Sequence, residues 1–229
     1  MSYYRFIDKG DGPTKLFLGG VHGREGETTI DFFKSLSYSD FSIGKTFIYN
    51  FDNTKYISTI KEEYYESKLG KKIINLINKH KPDFYIELHC YNIKNHEKLI
   101  SPNRRKSQGV PPLIDLENNV LISSVSPLIR KKYFKMETVC KTLEIPCFNK
   151  KFYNESYKKQ YNGNEILYLN NLDKKSKLSV NTYLDIIKIL AKVKNREEFQ
   201  EIMINKYPKQ VELAVKYAKE IFGGEFPPF

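Results

Sequence analysis

Hydrophobic residues follow two alternating patterns along the chain, and the alternation predicts the fold class. Short apolar runs typical of buried strands cover residues 15–18, 82–91, 120–125 and 138–146. Between them, apolar residues recur at helical spacing over 27–36 and 60–80, and Ser126-Pro127 begins a further helix expected to end near residue 135. Strands that alternate with helices predict an α/β fold with a mostly parallel or mixed central sheet flanked by helices.

The two ends of the chain extend this pattern. Residues 3–8 are expected to form an edge strand, and residues 45–51 are expected to form another strand. Helices are expected to start after the capping residues Ser179 and Asn195, and at Pro208. We therefore expect an α/β domain over residues 1–175 and, over 176–229, a C-terminal helical extension packed on the same domain.

Composition bears on where the protein works. No run of about 18 apolar residues is present, so no membrane-spanning helix is expected. The first residues also lack the apolar segment of a signal peptide. Three cysteines without the spacing of a disulfide framework predict reduced thiols and a cytoplasmic protein.

The formal net charge of +11 is compatible with a nucleic-acid or an anionic partner. The basic residues lie in small scattered clusters such as Arg104-Arg105-Lys106, and no RNA-binding motif is present. We therefore expect a small anionic or carboxylate-bearing substrate, and nucleic-acid binding is the less favoured interpretation.

Candidate chemistry lies at the ends of two predicted strands. His22 and Glu25 follow the 15–18 strand after a glycine turn, and His89 ends the 82–91 strand. Because the carboxyl ends of parallel strands meet at one edge of a sheet, these three side chains are expected to lie together. Two histidines and one glutamate can hold zinc with a fourth position left for water. Taken singly, each residue also fits a solvated turn or a structural role.

Two segments resemble known enzymes. Gly20-Val21-His22-Gly23-Arg24-Glu25 resembles the metal-binding turn of zinc carboxypeptidases and of the succinylglutamate desuccinylase and aspartoacylase group. Glu87-Leu88-His89 resembles the Asp-x-His segment that supplies their third ligand, although Glu87 stands where the relatives carry Asp. The whole chain also resembles an uncharacterised archaeal family of about this length. The resemblance implies a zinc carboxypeptidase-like fold and one Zn²⁺ per chain, held by His22, Glu25 and His89.

The resemblance also implies a general base. The segment Lys141-Thr142-Leu143-Glu144 resembles the carboxypeptidase strand that carries it, so we assign the catalytic role to Glu144. A carboxylate there would take a proton from water and deliver it to the leaving amine. Glu137 is the alternative, and both glutamates would otherwise be ordinary polar residues.

The substrate-binding residues are less clearly marked. The Asn–Arg pair that holds the substrate carboxylate in those enzymes is not evident, and the 49–56 segment offers Lys55 instead. Arg24 in the metal turn and Arg104 in the polar loop 92–112 are the other candidates, because guanidinium groups bind carboxylates well. Tyr157 and Tyr161 are further hydrogen-bonding candidates.

These features together predict a zinc-dependent hydrolase of an amide bond, either carboxypeptidase-like or an N-acyl amino acid deacylase. Two alternatives remain: a non-catalytic metal- or ligand-binding protein on the same fold, and a basic nucleic-acid-binding protein. Of the remaining histidines, His80 is expected to be structural and His96 to lie on the surface.

Overall fold

A single mixed sheet organises the protein. The computed structural model describes residues 3–147 and 172–223. Seven strands lie in the order β1-β3-β2-β4-β7-β6-β5. In chain order they are β1 (Tyr3–Asp8), β2 (Thr14–Gly19), β3 (Lys45–Asn50), β4 (Phe84–Tyr91), β5 (Ile114–Glu117), β6 (Val120–Ser123) and β7 (Val139–Pro146). The central strands β3, β2, β4 and β7 are parallel, and the outer strands pair antiparallel. The predicted mixed sheet is confirmed.

Helices cover both faces of this sheet. In chain order they are α1 (Gly26–Ser35), α2 (Glu62–Glu66), α3 (Lys68–His80), α4 (His96–Ile100), α5 (Arg104–Gln108), α6 (Pro127–Tyr133), α7 (Lys174–Lys192), α8 (Arg196–Lys206) and α9 (Pro208–Phe222). One core joins the sheet to α1, α7 and α8, and the other joins it to α3 and α6. All eight residues of β4 are buried, as expected for a strand covered on both faces. None of the described helices is both long enough and apolar enough to cross a membrane.

The helix predicted over residues 60–80 is divided into α2 and α3. Ser67 has an extended backbone between them, and its hydroxyl accepts a hydrogen bond from the Gly70 amide. A side chain on Gly70 would place its Cβ only 2.0 Å from the Tyr64 carbonyl oxygen. The two helices therefore pack closely because residue 70 is glycine.

Three other predicted boundaries were wrong. The loop predicted over 92–112 contains α4 and α5, and β5 was missed because its hairpin turn, Asn118-Asn119, was not recognised. Both turn residues have positive φ, which asparagine tolerates better than most residues do. The helix α7 starts at Lys174, capped by Asp173, and Ser179 lies buried inside it. The predicted boundary between residues 175 and 176 therefore falls within a helix.

Two other predicted helix starts are confirmed. Of the two histidines outside the candidate site, His80 agrees with its prediction and His96 does not. The Asn195 side chain caps α8, and Pro208 begins α9. His80 is structural as predicted, because its Nε2 lies 3.0 Å from the Tyr49 hydroxyl. His96 is not a free surface residue, since its Nε2 lies 2.9 Å from Asp115 Oδ2 and its side chain is only 14% exposed.

The cysteines differ from the expectation of three reduced thiols. Cys90 and Cys147 form a disulfide between the ends of β4 and β7, with their Cα atoms 4.9 Å apart. Their separation of 57 residues gives no local pattern, because the parallel pairing of β4 with β7 brings them together. Cys140 is free and buried.

Candidate metal centre

The first two predicted ligands lie in the segment that joins β2 to α1. Glu25 directly precedes α1, and Gly26 is the first residue of that helix. A Cβ on Gly26 would lie 1.9 Å from the Phe51 carbonyl oxygen, so the backbone approaches the end of β3 as closely as only glycine permits. This close approach sets His22 and Glu25 at the carboxyl edge of the sheet, beside the end of β4.

The structure brings His22, Glu25 and His89 together. Their ligand atoms all lie within 4.8 Å of one another. His22 Nδ1 is 3.4 Å from Glu25 Oε1, and His89 Nδ1 is 3.2 Å from Glu25 Oε2. Among the described residues, no other group of His, Cys, Asp or Glu side chains has this metal-binding spacing.

A second carboxylate orients His89 from behind. Glu87 Oε2 lies 3.3 Å from His89 Nε2, and the Tyr85 hydroxyl donates to Glu87 Oε1 at 2.6 Å. Because Nε2 is engaged in this way, Nδ1 is the nitrogen that faces Glu25. A carboxylate behind a histidine is the usual support for a metal ligand, and Glu87 reaches His89 despite being longer than Asp.

The protonation behaviour of the two histidines fits a metal. Burial lowers the pKa of His22, which favours the neutral imidazole that metals bind. Burial also opposes charge on His89, but the Glu25 and Glu87 carboxylates outweigh it and hold its pKa well above the usual range. The raised pKa of His89 therefore reflects the two carboxylates that surround it.

The environment of His22 gives the strongest support for a metal ion at this site. Its Nδ1 atom is buried, and no described residue forms a hydrogen bond with it. This atom has the Glu25 carboxylate 3.4 Å away but makes no hydrogen bond, which is costly for a buried polar atom, and a metal ion bound by both groups would satisfy it. Two nitrogen donors and one carboxylate match the donor set that zinc takes when it keeps an open position.

Glu144 lies beside this group, as predicted. It pairs in register with His89 across β4 and β7. Burial raises the pKa of Glu144 to about 7, while His89 and Arg104 act in the opposite direction. Its Oε2 atom is buried and has no hydrogen-bond partner among the described residues. The alternative, Glu137, is exposed and precedes β7 at the opposite edge of the sheet.

The group opens into a cleft of about 890 Å³. Glu87, Glu144 and the three candidate ligands line one end. Hydroxyl groups from Ser123, Ser126 and Thr142 also line the cleft, as do three basic side chains from Lys61, Lys98 and Arg104. The cleft thus combines acidic groups at the candidate metal position with cationic groups from the surrounding helices and loops.

Of the three predicted substrate-binding residues, only Arg104 lines this cleft. Its Nη1 donates to the Pro111 carbonyl oxygen at 2.7 Å, and its Nε donates to Gln108. Arg24 instead lies 74% exposed and pairs with Glu27 at 2.9 Å. Lys55 is exposed and does not line the cleft either.

Sequence reasoning missed several residues of the site. Lys61 and Lys98 had no signal, because isolated lysines in polar segments look like any solvated surface. Asn50, within the 49–56 segment, is fully buried and donates to the Gly26 carbonyl oxygen, so it supports the turn rather than facing the cleft. The tyrosine candidates Tyr157 and Tyr161 lie outside the described residues.

Comparison with known proteins places the chain among archaeal proteins. A family model described as an uncharacterized protein conserved in archaea (DUF2119) matches residues 10–223. An uncharacterized protein of Methanocaldococcus jannaschii is 42% identical over 221 residues, which cover 94% of each chain. No solved structure gives a significant match. The chain belongs to this archaeal family.

Proposed function

We propose that the protein is a zinc-dependent hydrolase that cleaves an amide bond, of the carboxypeptidase or N-acyl amino acid deacylase type. The observation that carries the proposal is the placement of the half-buried Glu144, whose Oε2 atom is buried, in one cleft with His22, Glu25 and His89. The segments that resemble zinc carboxypeptidases are the same segments that supply these four side chains.

Each residue has a distinct part in this proposal. A zinc ion held by His22, Glu25 and His89 would polarise the substrate carbonyl and lower the pKa of a water molecule. Glu144 accepts a proton from water at its carboxylate and then donates it to the nitrogen of the leaving amine. Burial, which raises the pKa of Glu144 to about 7 in the metal-free protein, favours a carboxyl that can gain and lose a proton near neutral pH.

The substrate class follows from the charges of the cleft. Among the described residues, no carboxylate lies within ion-pair distance of Arg104, Lys61 or Lys98, although the Glu144 carboxylate acts on Arg104 from a longer range. Arg104 uses Nε and Nη1 for the protein, and no described residue accepts a hydrogen bond from its Nη2. We infer that Arg104 holds the carboxylate of a small anionic substrate while the lysines attract it.

The test measures metal content and hydrolysis in the same samples. The wild-type protein, Glu144→Gln and the exposed control Glu137→Gln are supplied with zinc, washed, and assayed on a panel of N-acyl amino acids and short peptides. We expect about one zinc per chain in all three and a loss of turnover of about 10²- to 10⁴-fold in Glu144→Gln alone.

The outcomes separate the parts of the proposal. Full turnover in Glu144→Gln with zinc retained would show that Glu144 is not the general base. Absence of zinc from the wild type would refute the metal site. His89→Ala, which removes one ligand, is expected to lose the metal.

One observation favours a second candidate, a metal- or ligand-binding protein without catalysis. Arg24 and Lys55 do not reach the cleft, so Arg104 is the single predicted carboxylate-binding residue in position. Zinc binding without turnover on the whole panel would support this candidate, and turnover of any member would exclude it.

A further inference from the structure

The Cys90–Cys147 disulfide closes the end of the two strands that carry the candidate site. Cys90 directly follows His89 on β4, and Cys147 lies three residues after Glu144, just past β7. The regular ladder between these strands ends where Tyr91 pairs with Pro146. The strand ends are also held by the disulfide, which joins Cys90 within β4 to Cys147 after β7, and by the Cys147 amide, which donates to the Tyr91 carbonyl oxygen at 2.8 Å.

The two sulfur-bearing residues differ in exposure. Cys147 is exposed, whereas Cys90 is 8% exposed. Cys90 also lines the cleft. A reductant in solution can therefore reach the bond from the Cys147 side. The third cysteine, Cys140, is buried in another part of the core and is free, so it provides an internal reference.

We propose that Cys90 and Cys147 form a reversible dithiol–disulfide site whose state controls how tightly the candidate metal centre holds zinc. The effect on zinc rests on the proposed function, whereas the thiol chemistry does not. A solvent-accessible disulfide is the kind that exchanges with thiols in solution.

A dithiol reductant supplies the two electrons that reduction of the Cys90–Cys147 disulfide requires. One thiolate of the reductant attacks Cys147 Sγ, the protein S–S bond breaks, and the electron pair leaves on Cys90 Sγ, which takes up a proton. The second thiolate of the reductant then closes the reductant's own disulfide and releases the Cys147 thiolate. Two electrons pass from the dithiol to the protein, and an oxidised reductant is the co-product.

The link to the metal runs through the end of β4. His89 and Cys90 are consecutive, so the backbone that orients the His89 ring is the backbone that the disulfide fixes. On the other side, the Tyr183 hydroxyl lies 3.1 Å from the His89 carbonyl oxygen and 3.2 Å from the Leu143 carbonyl oxygen. Reduction leaves this contact and the β-ladder in place but removes the covalent link, so His89 is held less rigidly.

The first measurement maps the thiols in the full-length protein. Oxidised protein is exposed to graded dithiothreitol under native conditions, labelled with iodoacetamide, and analysed by peptide mass spectrometry. We expect Cys90 and Cys147 to become labelled together, Cys140 to be labelled only after denaturation, and reoxidation to restore the bond. A bond that opens only when the protein unfolds, or thiols that stay free under oxidant, would overturn the redox site.

The second measurement determines zinc affinity by competition with a chromophoric chelator after the reductant has been removed. We expect the reduced form to bind zinc about tenfold more weakly, the lower end of the effect seen when support around a metal ligand is lost. Cys147→Ser should bind as weakly as the reduced form in either redox condition, whereas Cys140→Ser should respond like the wild type.

The outcomes distinguish this proposal from the proposed function. Equal zinc affinity in both redox forms would overturn the coupling while leaving the metal centre intact. If neither form binds zinc, the proposed function and the coupling both fail, and the labelling alone decides whether the thiols form a reversible site.

Discussion

At the residue scale, the buried lysine of β2 must have hydrogen-bond acceptors inside the core. Lys15 is 1% exposed, and its Nζ donates to the carbonyl oxygens of Leu190, Ala191 and Val193 at the end of α7. We expect Lys15→Met to lower the free energy of unfolding by about 2–4 kcal/mol, because these carbonyls would lose their donor inside the core. Urea unfolding measures the loss. The exposed Lys45→Met on neighbouring β3 is the control and should change stability by less than about 0.5 kcal/mol.

The stability difference between the wild type and Lys15→Met is also expected to depend on pH. Burial lowers the pKa of Lys15 from its ordinary value of 10.5 to about 7. Between these two values the unfolded chain holds more protons than the folded protein does. The stability of the wild type relative to Lys15→Met should therefore rise as the pH increases across that window. A difference that is flat or falls with pH would show that the folded protein keeps the ammonium form.

The sequence could predict which side chains lie together when the residues are close in the chain or stand at the ends of parallel strands. His22, Glu25 and His89 could be predicted because parallel strands bring their carboxyl ends to one edge. The direction of a side chain within a turn could not, so Arg24 was expected in the cleft although it points to solvent beside Glu27. The role of Lys15 was equally hidden, since its carbonyl partners lie 175 to 178 residues away.

At the element scale, the packing of α1 against the end of β3 determines the position of the candidate metal ligand Glu25. Alanine is normally a better helix residue than glycine by about 1 kcal/mol. At position 26, however, a Cβ would meet the Phe51 carbonyl oxygen at 1.9 Å. We expect Gly26→Ala to destabilise the protein and to weaken zinc binding, because α1 must move and Glu25 directly precedes it.

Glu27→Ala provides the matched control for that substitution. It also places alanine in the first turn of α1, but without the contact to Phe51. It should leave zinc affinity unchanged in the chelator competition assay. If Gly26→Ala retained both stability and zinc affinity, the close approach would not be what positions Glu25.

Strands could be predicted from the sequence where burial on both faces requires a continuous run of apolar residues. The strands β2 and β4 are buried along nearly their whole length, and their runs mark them clearly. The break at Ser67 was missed because helical periodicity continues on either side and because the close approach of Gly70 to Tyr64 leaves no mark in the apolar pattern. The disulfide was missed for a similar reason, since it depends on which strands are neighbours.

At the scale of the whole molecule, α7 is a layer of the fold rather than an appendage. The side chains of Val180, Tyr183, Ile186, Ile187 and Leu190 are all 0% exposed and share one core with the sheet. Burying such a side chain contributes about 1.5–3 kcal/mol, so five contribute on the order of 10 kcal/mol. That sum is comparable to the total stability of a typical domain, about 5–15 kcal/mol.

A chain ending before α7 should therefore not fold. We expect deletion of residues 173–229 to give aggregated protein, because the face of the sheet that α7 covers would be exposed to water. Deletion of 208–229, which removes α9 and its buried Ala214, should be milder and leave a cooperative unfolding transition. Size-exclusion chromatography and thermal unfolding of both truncations provide the measurement. If the chain lacking residues 173–229 unfolded cooperatively as a monomer, the α/β domain would fold independently, and the packing of the C-terminal helices on it would not be required for its stability.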